Sequence, residues 1–126
     1  MPPTPEGPTG ADLTLLDPDG AFSARLAEDH NVLGKLARGF RAASPARRDR
    51  FLAEIEVLAH RLAGAAGTFG HGAVSAAAFE LEHCIIAARG RSDGPDGKTI
   101  DRCLTGLLGA LVHAIGPLSR AKGTQN

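Results

Sequence analysis

The chain has 126 residues, a formal net charge of zero and a hydrophobic fraction of 43%, which is the size and composition of one domain with its own core. Balanced charge gives nucleic acid or an anionic membrane no electrostatic reason to bind. Aromatics are only 4%, with no Trp or Tyr to stack on a base, and no apolar run approaches the ~20 residues that span a bilayer.

The N-terminus lacks a charged-then-apolar leader, so a cytoplasmic location is the expectation. Cys84 and Cys103 are too few for a disulfide framework and read as small, half-buried thiols. Residues 1–12, with Pro2, Pro3, Pro5 and Pro8 among Gly7 and Gly10, read as a disordered tail. Leu13, Leu15 and Leu16 form a short apolar contact that ends at the turn signal Asp17-Pro18-Asp19-Gly20. They open a single domain over 13–120, followed by a polar tail over 121–126.

A first helix is expected from about Ala21 to Ala43, with Phe22, Leu26, Leu33, Leu36 and Phe40 inward. Asp29, His30 and Asn31 interrupt that stripe and mark a possible break, and Gly34 and Gly39 weaken it. Ser44-Pro45 reads as N-cap and first helical position of a second helix. Arg47, Arg48 and Arg50 crowd its first turns against the helix dipole, so they read as a solvated face or as a dock for an acidic partner. A third helix is expected from about Ala73 to Ala88, with Val74, Ala78, Leu81, Ile85 and Ala88 inward. Residues 90–97 are a loop by composition. A fourth helix runs from about Thr99 to Leu118 on Ile100, Leu104, Leu107, Leu108, Leu111 and Ile115, with Gly116-Pro117 as its stop. No segment alternates like a strand. Short connections between long helices give an all-α, antiparallel, up-down-up-down four-helix bundle.

The second helix carries the most specific signal. Phe51, Ile55, Leu58, Leu62, Ala65 and Phe69 recur at helical steps, widened by Leu52, Ala59 and Ala66. At about 100° per residue, His60 falls nearly opposite this stripe, with Val57, Gly64, Gly67 and His71 on the same outward side. Its helical neighbours at i+3, i+4 and i+7 are Ala63, Gly64 and Gly67. A helix-interior Gly costs roughly 1 kcal/mol relative to Ala, so two of them beside an exposed imidazole need a reason. Access is one: a partner's surface can descend onto the ring unobstructed.

His60-Arg-Leu-Ala-Gly64-Ala-Ala-Gly-Thr-Phe-Gly70 resembles the motif of histidine phosphotransfer (HPt) domains, and the run Ala66-Gly-Thr-Phe-Gly70 is similar to the phosphotransfer domain of chemotaxis-type histidine kinases. The resemblance extends through Phe79-Glu-Leu-Glu82 and spans roughly 20–118. It implies a phosphocarrier rather than an enzyme, in bacterial two-component signalling. His60 would accept a phosphoryl group from a receiver-domain aspartyl phosphate, or through a histidine-kinase relay, and pass it to another response regulator. The partners implied are receiver domains and a hybrid or cognate histidine kinase. The chain itself is expected to be a monomer without a cofactor, with Mg²⁺ held by the receiver.

An imidazole with a pKa of about 6.5 keeps one nitrogen free to attack an acyl phosphate near neutral pH. Phosphoryl transfer then needs positioning and charge neutralisation more than covalent machinery. A carboxylate on the other nitrogen would fix the tautomer. By similarity, Glu82 on the third helix takes that role, with Glu56, one turn before His60, as the local alternative. The family usually carries Lys where this chain has Ala63. Arg61 or His71 could supply that charge, or the receiver's own Lys could suffice. Alternatively, the domain only docks. The docking surface is expected around Val57, Ala63, Gly64, Gly67 and His71. A metal-binding bundle is the remaining alternative. His30, His60, His71, His83 and His113 are available to it, but the paired Glu-x-x-His spacing occurs only once, at Glu80–His83.

Overall fold

The computed structural model describes residues 20–90 and 96–124, those from 116 onward as backbone. The expected disordered tail, the apolar contact at 13–16 and most of the expected loop over 90–97 lie outside the described residues. Four helices succeed one another: α1 (Ala21–Ala42), α2 (Pro45–Thr68), α3 (Gly72–Gly90) and α4 (Gly97–Thr124). Each packs on two neighbours, α1 on α2 and α4, α3 on α2 and α4, and no diagonal pair meets among the described residues. This closed ring is the expected antiparallel four-helix bundle.

The interior is filled from all four helices. Leu26, Leu33, Ile55, Leu62, Leu81, Ile85, Leu104, Leu107 and Leu111 are the larger side chains sealed from solvent, with Val74 beside them. On α2 the buried set is Leu52, Ile55, Leu58, Ala59, Leu62 and Ala66, while Phe51, Ala65 and Phe69 are only half-buried. The inward stripe is therefore turned toward Ala59 and Ala66. Alanine adds little hydrophobic weight to a periodicity, yet it lets a neighbouring helix come close.

Helix α1 does not break at Asp29–Asn31. Asp29 is buried in the stripe itself, and Arg61 of α2 donates to its Oδ1 from Nη2 at 3.0 Å. A buried carboxylate is tolerated once paired. Its partner stands 32 positions away, so local sequence gives no hint of it. Gly39 has a packing reason as well: a Cβ there would lie 2.2 Å from Phe51 Cε1. Ser44 occupies the N-cap of α2 with extended backbone, but its hydroxyl makes no capping bond. Its carbonyl instead accepts the N–H groups of Arg47 and Arg48. Helix α4 continues past Pro117 to Thr124, beyond the expected stop and into the expected polar tail. Proline removes one helical hydrogen bond and disfavours a helix interior; here it does not end one.

The α2–α3 connection fixes where α3 lies against α2. Gly70 has φ +85°, a left-handed conformation that glycine adopts without strain. The His71 N–H reaches the Ala66 carbonyl at 2.8 Å and the Gly70 N–H the Gly67 carbonyl at 3.2 Å. That pair of bonds is a Schellman cap. The His71 carbonyl then accepts the Ser75 N–H at 3.0 Å, starting α3. The Phe69 ring stacks on Phe22 of α1, with centroids 4.2 Å apart and planes 12° from parallel. This ties the turn to the bundle and holds the register of the two helices.

Candidate functional site

With α2 fixed by its buried side, His60 emerges on the opposite one. Its side chain is 78% exposed, whereas that of Glu82, on α3, is 15% exposed. The two meet at 2.6 Å between Nδ1 and Oε2. A carboxylate acceptor selects the tautomer with the proton on Nδ1. The Nε2 lone pair is then free, on a ring that faces solvent.

The rest of the local charge is committed. Glu56, the alternative partner for His60, accepts from Arg89 Nη1 at 3.1 Å. Arg89 also donates from Nε to Asp49 Oδ1 at 2.9 Å and from Nη2 to Oδ2 at 3.3 Å. Hydrogen bonds to these two carboxylates, Asp49 first, raise the Arg89 pKa above its ordinary value, with desolvation opposing. Arg61, a candidate for charge support, gives its guanidinium to Asp29. On α2, the positions one turn from His60 are Glu56, Val57, Ala63 and Gly64, and none is a cation.

The surroundings are low and apolar. Val57 is 67% exposed. A Cβ built at Gly64 would meet nothing within 4 Å, so the space beside the imidazole is open. Gly67 differs: a Cβ there would lie 3.3 Å from Ser75 Oγ. Ser75 itself donates to the Ala63 carbonyl at 2.6 Å. Gly67 and the small Ala63 thus let α3 approach α2 closely. His71 does not share the outer face of α2. It lies past the helix end, half-buried, with its ring 5.7 Å from that of Phe22. A helical wheel loses validity once Gly70 turns left-handed, which is why it misplaces His71.

Two apolar residues of α3, which the sequence pattern does not single out, complete this face. Phe79 and Ile86 are exposed, and they share a helical side with Ser75 and Glu82. Phe79 leans on His83, with ring centroids 4.2 Å apart. Between it and α2 lies a groove of about 600 Å³, lined by Ala63, Gly67, Ser75, Ala76, Phe79 and His83 among others. The available signal is the α3 stripe itself: once Val74, Ala78, Leu81 and Ile85 point inward, Phe79 and Ile86 fall outside it.

Among the described residues no group of three or more His, Cys, Asp or Glu side chains is placed to hold a metal ion, and no helix is long and apolar enough to cross a membrane. The family model of the Hpt domain matches residues 20–115. No curated protein and no solved structure gives a match.

Proposed function

The chain belongs to the Hpt domain family, whose role is phosphotransfer within phosphorelays, and from that premise we propose that His60 is the phosphoacceptor of a relay intermediate. The observation that carries the reading is the exposed imidazole with Nδ1 bound to Glu82. Donor and recipient are receiver domains of response regulators or a hybrid kinase. The donor's Mg²⁺ belongs to the receiver, and the reaction takes place in the cytoplasm with this chain as a monomer.

The step needs little from the bundle. The Nε2 lone pair attacks the phosphorus of an aspartyl phosphate in line with its P–O bond. The N–P bond forms as that bond breaks, and its electron pair returns to the receiver's carboxylate. The Nδ1 proton stays on the ring, directed at Glu82, whose negative charge offsets the positive charge that develops on the imidazole. Glu82 is a positioning residue: it fixes the tautomer and aims the ring. Onward transfer is the same step reversed onto a second receiver. Val57, Gly64, Phe79 and Ile86 make a shallow apolar landing surface, suited to a transient interface at the small end of the size range. With Ala63 in place of Lys and Arg61 held by Asp29, neutralisation of the phosphoryl charge falls to the receiver's cations.

Ala63 also favours a second reading, a docking module that no longer carries phosphate. Mixing the chain with a receiver domain bearing a labelled phosphoryl group separates the two. Label should move to the wild type, survive base, be lost in acid as phosphoramidates are, and never reach His60→Gln. A receiver that binds but keeps its label supports the docking reading instead.

A further inference from the structure

The groove between Phe79 and α2 opens about one helical turn beyond His60, and the phosphoryl step makes no use of it. Ala63 and Gly67 line it from α2, and Ala76 from α3, so most of its walls are low. Phe79 forms the one high side. It is 56% exposed, with the His83 ring braced against it at 4.2 Å. About 600 Å³ is thereby left open beside a bare aromatic ring. Glu80 is the one anion that lines this space. The other carboxylates between α2 and α3 are committed, Glu82 to His60, and Asp49 and Glu56 to Arg89. Glu80 accepts only the Cys103 thiol among the described residues, at 3.9 Å. Arg102 lines the next groove, toward α4, together with Glu80, yet no ion pair joins the two among the described residues.

We propose that this groove receives an arginine side chain of the receiver domain that docks on His60, and that the contact selects among receivers. The inference rests on the phosphorelay reading above. A groove with apolar walls and a single anion suits a side chain with an apolar stem and a cationic head. Arginine fits better than lysine. Its flat guanidinium stacks on an aromatic face, holds its water less tightly than an ammonium does, and meets a carboxylate with two parallel N–H bonds. The stem lies along Ala63 and Ala76, and the head covers Phe79 with its N–H groups toward Glu80. No Lys or Arg lines the groove, and His83, the remaining titratable group there, packs its ring on Phe79. Ala63 and His60 are three residues apart on α2, so a surface that reaches His60 also covers the groove. A receiver that brings a purely apolar side chain leaves Glu80 desolvated and without a partner, and it docks less well for that reason.

The test has two arms, both on the full chain. In the first, backbone-amide NMR follows a titration with n-propylguanidinium, the arginine head on a short stem, and with n-propylurea, its neutral isostere. The guanidinium should shift the amides of Ala63, Gly67, Ala76, Phe79 and Glu80 saturably, and the urea should not. Glu80→Gln should weaken the guanidinium roughly 2–5-fold, and Ala76→Leu, which fills the groove, should abolish the shifts. In the second arm, a receiver domain that labels the wild type is bound to His60→Gln, where no phosphoryl group can move. Adding Glu80→Gln to that background should weaken docking by a similar factor and flatten its dependence on salt. Equal shifts from the urea, shifts centred elsewhere, or receiver affinity unmoved by Glu80→Gln overturn the proposal. The two failures differ: loss of the relay reading shows as no label on His60, loss of this one as absent or unselective shifts at Phe79 and Glu80.

Discussion

On the inner side of α2, Ile55, Ala59, Leu62 and Ala66 are closed to solvent, while on the outer side Val57, His60 and Gly64 stand open. Both sets come from one 24-residue helix, and different physics governs each. The inner residues are specified by volume, because protein interiors are close-packed and a missing methylene is felt. The outer ones are specified by the absence of volume around a single ring. Stability and reactivity should therefore come apart along the helix: an inner substitution damages the fold, an outer one the chemistry.

The largest effect expected on the outer side is His60→Gln, which should remove phosphoryl acceptance entirely and leave the melting temperature unchanged. Its inner counterpart is Leu62→Ala, which should cost about 2–5 kcal/mol of stability in chemical denaturation, while the transfer rate per folded molecule stays near wild type. Next comes Glu82→Gln. It keeps the side-chain shape but gives up the anionic acceptor, and it should slow transfer roughly 10–100-fold in a rapid-quench assay with little change in stability. Loss of stability rather than of rate would mean that the carboxylate serves the fold.

The two glycines sharpen the contrast further. Gly64→Gln places a good helix former where the structure is empty. It should stabilise the bundle by up to about 1 kcal/mol and yet slow transfer, because its side chain rises beside the imidazole. Gly67→Ala gains the same propensity but presses on Ser75, so it should stabilise less or destabilise. Equal thermal shifts for the two variants would count against that distinction. The smallest effect lies far from both sides of α2. Asp96 Oδ1 accepts the Thr99 N–H and hydroxyl, each at 2.9 Å, and these bonds hold its pKa below the ordinary carboxylate value. A depressed folded pKa contributes stability above the unfolded pKa, and that contribution fades as pH falls through the folded one. The small melting-temperature deficit of Asp96→Ala at neutral pH should therefore begin to shrink as pH falls below about 4 and vanish only once pH lies below the depressed folded pKa.

Periodicity alone makes the four helices legible, together with most of their inward residues and the outward place of His60. Glu82 is legible only through family resemblance, because a partner 22 positions away on another helix leaves no local mark. The same kind of distance hides Asp29, which looks like a flaw in the α1 stripe until Arg61 is seen to pair with it. Gly39 and Gly67 are hidden for a related reason: what requires them is a ring or a hydroxyl on another helix. His71 is misplaced because a helical wheel assumes that the helix goes on, and the Schellman cap at Gly70 ends it. At Pro117 the opposite assumption fails, since the chain stays helical beyond it.

The measurement that bears most directly on the central claim is which ring nitrogen carries the phosphate, read by phosphorus and nitrogen NMR on the labelled, phosphorylated chain. With Nδ1 held by Glu82 and the other edge of the ring open, the phosphoryl group should sit on His60 Nε2. A phosphoryl group on Nδ1, on another histidine, or on none would contradict the account.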